Sequence, residues 1–173
     1  KRRKKKMPRR VFLEGNHEHR IEKALDLSPE LVGTIGLDDL NLEEWYQDVI
    51  LYTGNTPGVI IIDGISYSHY FVSGIKGLPL GGEHPGYTQI TKLFTSSTSG
   101  HSHLLDFSIR SDNAGRKIMG LQSGCFIDCN VDWAGETNRL WWRGVIVKRN
   151  VENGQYDPQF ISIKSLKKEY ENV

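Results

Sequence analysis

From Val49 onward the chain is a succession of short runs rich in β-branched and aromatic residues, cut apart by glycine, asparagine and proline. "VILY", "GVIIIDG" and "ISYSHYF" follow one another within about 25 residues. Runs of this length with these breakers cannot grow into helices and predict strands. After "HPGYTQITKLF", which predicts a helix, the segments "TSSTSGHSH", "LLDFSIR", "RKIMGLQSG", "RGVIVKRN" and "QFISIKSL" alternate strands with turns. "SDNAGR" and "NVENGQ" carry the turn residues that close hairpins. The first third reads differently. "RVFLEG" predicts a short buried strand, and residues 18 to 47 predict a largely helical region, with Ser28 as an N-cap and Pro29 in the first turn. Leu37, Leu40, Leu42, Trp45 and Val49 are spaced to cover one helical face, which is expected to be core. The fold class is therefore α/β, of the α+β kind, with an antiparallel-rich second half.

At 173 residues the chain has the length of one domain. Its net charge of +1 points to no polyanionic partner, but the charge is uneven: "KRRKKKMPRR" places eight basic side chains in the first ten residues. We read residues 1–10 as a basic helix end or tail. They also offer a possible contact to nucleic acid, though no aromatic residues interleave the charges for base stacking. No apolar core of an export signal follows Arg10, and no stretch is long enough to span a membrane, so no membrane partner is expected. Cys125 and Cys129 form neither a disulfide framework nor a zinc clip, and two partly buried thiols in a reducing cytoplasm are expected. Trp133, Trp141 and Trp142 are expected to pack in the core or at an interface rather than to stack bases.

Five of the six histidines fall in three places: "GNHEH", "SHYF" and "GHSH". In extended backbone the rings of His101 and His103 would project to one side, as a shared ligand set requires, and Gly100 permits a sharp turn before them. The order is Gly-Asn-His-Glu after a strand, a single histidine at a strand end about 50 residues later, and Gly-His-x-His about 30 further on. In that order and spacing the chain resembles the calcineurin-like metallophosphoesterase superfamily over residues 11–173, and "GLQSGCFID" is similar to the segment that follows the Gly-His-x-His motif in bacterial and phage members.

The resemblance implies a two-sheet sandwich flanked by helices and a dinuclear metal site on the loops at its edge. It implies Asn16, His69 and His101 as ligands of one metal, His103 as a ligand of the other, and His17 as the uncoordinated histidine facing the scissile phosphate. Phosphate ester hydrolysis needs up to ~10²¹-fold acceleration. Two divalent ions activate a hydroxide and neutralise developing charge; imidazole and amide ligands suit manganese, iron or zinc. An imidazole with an ordinary pKa near 6.5 can protonate an alkoxide leaving group. The expected function is hydrolysis of a phosphomonoester or phosphodiester of undetermined class. A nuclease, or a non-catalytic module binding nucleic acid or protein on the same scaffold, is the alternative. The superfamily's Asp-x-His and Gly-Asp-x-x-Asp motifs do not occur here, so the chain is expected to be the C-terminal portion of a longer protein or of a split gene, and weakly active or inactive by itself.

The other polar residues carry less. Arg20 could meet a substrate phosphate or make a surface ion pair. His84 could line the mouth of a site or be a plain loop residue. His19 is expected to face solvent, and Glu18 to favour a helix start.

Overall fold

The computed structural model describes residues 7–171, and the chain divides into two compact units between Val59 and Ile60. The mixed α and β class holds, and among the described residues no helix is long and apolar enough to cross a membrane.

The first unit contains a strand β1 (Val11–Leu13), a helix α1 (His19–Leu27), a one-turn helix α2 (Leu42–Trp45) and a strand β2 (Asp48–Ile50). β1 and β2 pair in parallel, Phe12 opposite Val49, and the ladder continues one residue further through the Glu14 N–H to the Ile50 carbonyl at 2.9 Å. The long helical region expected over residues 18 to 47 is broken up. After α1 come 3-10 turns at Pro29–Leu31 and Leu37–Leu40, because Pro29 brings no N–H, Gly33 sits at φ +84° and Asn41 at φ +48°. Ser28 makes no side-chain cap and instead donates its N–H to the Ala24 carbonyl, closing α1. Leu37, Leu40, Leu42, Trp45 and Val49 consequently share no helical face; Leu40 and Trp45 are 39% and 58% exposed.

Residues 7–10 of the basic block form no helix: Pro8 constrains the backbone around it, and the Arg10 carbonyl already accepts the Gln47 N–H in line with β1. Arg9 Nε meets Asp48 at 2.6 Å. Residues 1–6, which hold most of the charge, lie outside the described residues.

The second unit contains β3 (Ile60–Ile62), β4 (Ile65–Tyr67), β5 (Val72–Ser73), β6 (Leu78–Pro79), α3 (Pro85–Leu93), β7 (Ser96–Ser99), β8 (Leu105–Ser111), β9 (Lys117–Ser123), β10 (Gly144–Glu152), β11 (Gln155–Ser162) and α4 (Ile163–Tyr170). A five-stranded sheet runs in the order β3-β4-β7-β9-β8. Its central strand β7 is parallel to both neighbours, while β3–β4, β8–β9 and the separate hairpin β10–β11 are antiparallel. The turn joining β3 to β4 is Asp63-Gly64, both with positive φ, the two-residue turn whose twist matches the strands.

Strand alternation assigns the faces. On β9, Met119 and Leu121 point to one side, where Met119 packs with Ile65 of β4 and Tyr156 of β11. Ile65 and Leu121 are fully buried, each contributing roughly 1.5–3 kcal/mol of burial free energy. Gly120 and Gln122 point to the other side, against α3. The helix lies so close that a Cβ added at Gly120 would overlap the Gly86 carbonyl oxygen and stand 2.7 Å from Ile90 Cγ2.

Two of the expected packing residues lie at the surface. Trp133 is 69% exposed, its ring 5.5 Å from Trp141, and Cys129 is exposed while Cys125 is half-buried. Both stand between β9 and β10, Cys129 before and Trp133 within a kinked 3-10 segment at Asp132–Leu140.

Because backbone atoms on both sides prevent relaxation, Gly120→Ala is expected to lower unfolding free energy by about 1–3 kcal/mol. A urea midpoint equal to the parent's would show that α3 can move off the sheet without loss.

Candidate metal centre

β4 and β7 are parallel neighbours in register, Tyr67 opposite Thr98, so the chain leaves both strands at the same edge of the sheet. His69 lies two residues past β4 and His101 two past β7. The His69 carbonyl accepts the N–H groups of Gly100 and His101, each at 3.2 Å, which locks one loop onto the other. The two rings meet edge to face, with His101 Nδ1 3.0 Å from His69 Nε2, and the Tyr70 ring packs on both. Two imidazole nitrogens so placed can share one proton or bind one divalent ion. Ligands about 2.0–2.1 Å from a common tetrahedral zinc ion would themselves lie roughly 3.3–3.4 Å apart, a few tenths of an ångström beyond the 3.0 Å between these two nitrogens.

The turn carrying His101 rests on buried amides that the sequence reading did not single out. Gln122, with its amide oxygen toward the turn, accepts the Ser102 N–H at 3.1 Å and donates to Ser99 Oγ at 2.8 Å. Gln89 on α3 donates to the same Ser99 oxygen at 2.7 Å and accepts from Ser97 Oγ at 3.0 Å. Gln89, Ser97, Ser99 and Gln122 are all buried. A buried polar group that loses its partner costs about 1–3 kcal/mol, so this set fixes the turn strongly. Its signal in the sequence is faint: small serines at alternate strand positions opposite one helical glutamine.

His103 does not follow the extended alternation expected of it. The backbone turns at Gly100, the His103 N–H donates to the Gly100 carbonyl at 3.3 Å, and His103 itself has φ +61°. Its ring stands edge-on to Trp141 at 4.2 Å, and its carbonyl accepts the Trp142 N–H at 3.1 Å. Its orientation is set by the tryptophan pair and not by strand geometry. His84 is exposed just before α3, where its carbonyl accepts from Thr88.

In the first unit, Asn16, His17 and Glu18 form the turn between β1 and α1. Glu18 folds back to accept the Gly15 N–H at 3.0 Å, and the Gly15 carbonyl accepts the His19 N–H at 3.1 Å. Asn16 is half-buried; His17 and Arg20 are exposed. His19, expected at the surface, is instead 5% exposed: its ring lies flat on Tyr52 at 4.1 Å, beside Glu14. The parallel pairing of β1 with β2 brings Tyr52 there from 33 residues away, which no local pattern announces.

One further titratable group was missed. Lys148 on β10 buries its ammonium against the other face of β4 and β7, donating to Tyr67 Oη at 3.0 Å and Thr98 Oγ1 at 2.6 Å and lying over the rings of Tyr67 and Tyr156. It borders a cavity of about 530 Å³ lined also by Cys125 and Phe126. Burial pulls this amine down to about 7, while burial pushes the Tyr67 and Tyr156 hydroxyls up.

The sign of the pH effect follows. Between about pH 7 and the ordinary lysine pKa near 10.4, the unfolded chain holds a proton on Lys148 that the folded chain has released, so this residue makes stability rise with pH. The tyrosines act with the opposite sign and only near pH 10 and above. Over pH 7–9 the stability difference between the parent and Lys148→Met is expected to change by about 1.4 kcal/mol per pH unit, read by denaturant titration at several pH values. A pH-independent difference would mean that the ammonium stays solvated.

Comparison of the chain with protein-family models, with curated proteins and with solved structures finds no match.

Proposed function

We propose that the chain belongs to a metal-dependent phosphoester hydrolase of the metallophosphoesterase type. The observation that carries this reading is the meeting of His69 and His101, nitrogen to nitrogen at 3.0 Å, from two strand ends 32 residues apart. The "SHYF" and "GHSH" motifs were joined in the resemblance by order alone, and their contact is what a shared ligand set requires. The five-stranded sheet with the β10–β11 hairpin over one face and α3 on the other supports the two-sheet sandwich of that reading.

In this reading His69, His101 and His103 of the second unit supply imidazole ligands, which suit manganese, iron or zinc. Two bound divalent ions would supply an activated hydroxide and charge neutralisation at the phosphoryl group. The chain's own contribution is positioning and proton transfer. The buried Gln122–Ser99–Gln89 set holds the His101 turn in one conformation, which lowers the cost of bringing ligands together. The resemblance gives His17, exposed on its turn, the role of general acid toward the leaving alkoxide. The substrate is a phosphoester of undetermined class, and the fold alone does not choose among monoesters, cyclic nucleotides and nucleic acid.

The test is manganese-stimulated hydrolysis of an aryl phosphate by the native protein that carries this sequence. His101→Ala and His17→Ala are each expected to lower turnover by about 10²–10⁴-fold, His101→Ala with weaker manganese binding and His17→Ala with binding kept. Equal turnover in parent and variants would overturn the assignment, and metal binding with no turnover at all would favour the non-catalytic module.

A further inference from the structure

The parallel ends of β1 and β2 gather a second set of ligating atoms in the first unit. Glu14 stands just past β1 with its side chain 0% exposed. Its Oε2 accepts the backbone N–H of Tyr52, just past β2, at 2.5 Å. Its Oε1 lies 3.4 Å from His19 Nδ1, and that same nitrogen lies 3.0 Å from Oε2 of Glu22, one turn further along α1. The spacing of three residues sets His19 and Glu22 on one helical face, and Glu14 approaches from the strand end.

Proximity has not produced hydrogen bonds. Glu14 Oε1 and His19 Nδ1 are both buried without a hydrogen-bond partner. At 3.0 Å the separation from Glu22 suits a hydrogen bond, so it is the direction that fails. A carboxylate buried to this degree is costly unless a positive charge and directed contacts compensate it. An imidazolium could supply the charge, but its single Nδ1–H points properly at neither carboxylate.

A cation seated among the three atoms would satisfy all of them. Ligands about 2.0–2.2 Å from one tetrahedral zinc ion are roughly 3.3–3.6 Å from each other; the His19–Glu14 separation of 3.4 Å falls in that range, and the His19–Glu22 separation of 3.0 Å lies a few tenths of an ångström short of it. All three ligand atoms lie within 4.8 Å of one another. The surroundings are those of a held ligand set: the Tyr52 N–H fixes the Glu14 carboxylate, and the Tyr52 ring, 14° from parallel, fixes the imidazole plane. Glu22 is about half exposed and borders an open cleft of about 560 Å³, lined also by Asp26 and Asn55, which gives an entry path and room for water in the remaining positions.

We infer that Glu14, His19 and Glu22 form a divalent-cation site in the first unit, independent of the histidines of the second. One imidazole and two carboxylates with open positions suit zinc or manganese. It does not rest on the phosphoesterase reading, which assigns none of these three residues.

The test uses the full chain and zinc. In crystals of the parent soaked with zinc, an anomalous peak is expected between Glu14 Oε1, His19 Nδ1 and Glu22 Oε2; a data set with zinc bound elsewhere and no peak there overturns the site. By calorimetry, Glu22→Gln, chosen because its side chain is partly exposed, is expected to weaken one zinc equivalent by about tenfold or more. His101→Ala is expected to leave that equivalent in place, so failure of the phosphoesterase assignment would not remove it. Identical zinc stoichiometry and affinity in parent and Glu22→Gln would identify the cluster as a charge network only.

Discussion

The parallel ladder between β4 and β7 is the constraint on which the second unit depends. Parallel neighbours cannot be joined by a tight turn, so the chain must cross over, and residues 68 to 95, including α3, make that crossing. The crossover delivers Tyr67 and Thr98 side by side, and whatever follows them emerges at one edge. His69 and His101 meet for this reason. Side-chain direction alternates along a strand, so a slip of one residue in β7 would turn Thr98 away from Lys148 and Ser97 away from Gln89 at once. The contacts on the two faces thus hold the register that the histidine pair needs.

Those two faces solve their packing in different ways. Toward the hairpin, Ile65, Met119 and Tyr156 make an apolar core into which one ammonium intrudes, and Lys148 is tolerated there because two hydroxyls and two aromatic rings surround it. Toward α3 the interior is polar. Serines at 97 and 99 and glycines at 86 and 120 let the helix approach until backbone meets backbone, and the space left is filled by glutamine amides that pair with one another's partners. Buried amides fully engaged in this way rigidify as well as stabilise, and they end at the turn that presents His101.

Much of this was legible in the sequence, and the failures have physical causes. The strands were readable because β-branched runs interrupted by glycine leave few alternatives; so were the "SDNAGR" and "NVENGQ" hairpins, closed by residues that accept positive φ. α3 was readable from its proline start and apolar spacing. Residues 18 to 47 are not, because Pro29, Gly33 and the left-handed Asn41 break the helix that the leucine periodicity suggests. The His101–His103 pair is not extended, because the turn that Gly100 permits includes the pair itself. His19 was placed in solvent because its partners, Glu14 and Tyr52, come from strand ends whose pairing is invisible to any window of local sequence.

The same device operates separately in each unit, and it explains why the chemically able residues follow strands rather than lie within them. Inside a parallel ladder the backbone is spent on pairing and the side chains on packing; just past the last rung, both are released. Gly15 and Gly100 sit at those points, each followed within two residues by a turn that brings polar side chains together. Ligands in parallel sheets gather at the carboxyl ends of strands for this reason. Glu14 with His19 in one unit, and His69 with His101 in the other, are therefore consequences of parallel pairing first and of residue identity second. A motif without its ladder does not show which neighbours a histidine meets: the His19 ring lies on Tyr52 beside Glu14, and the His103 ring stands against Trp141.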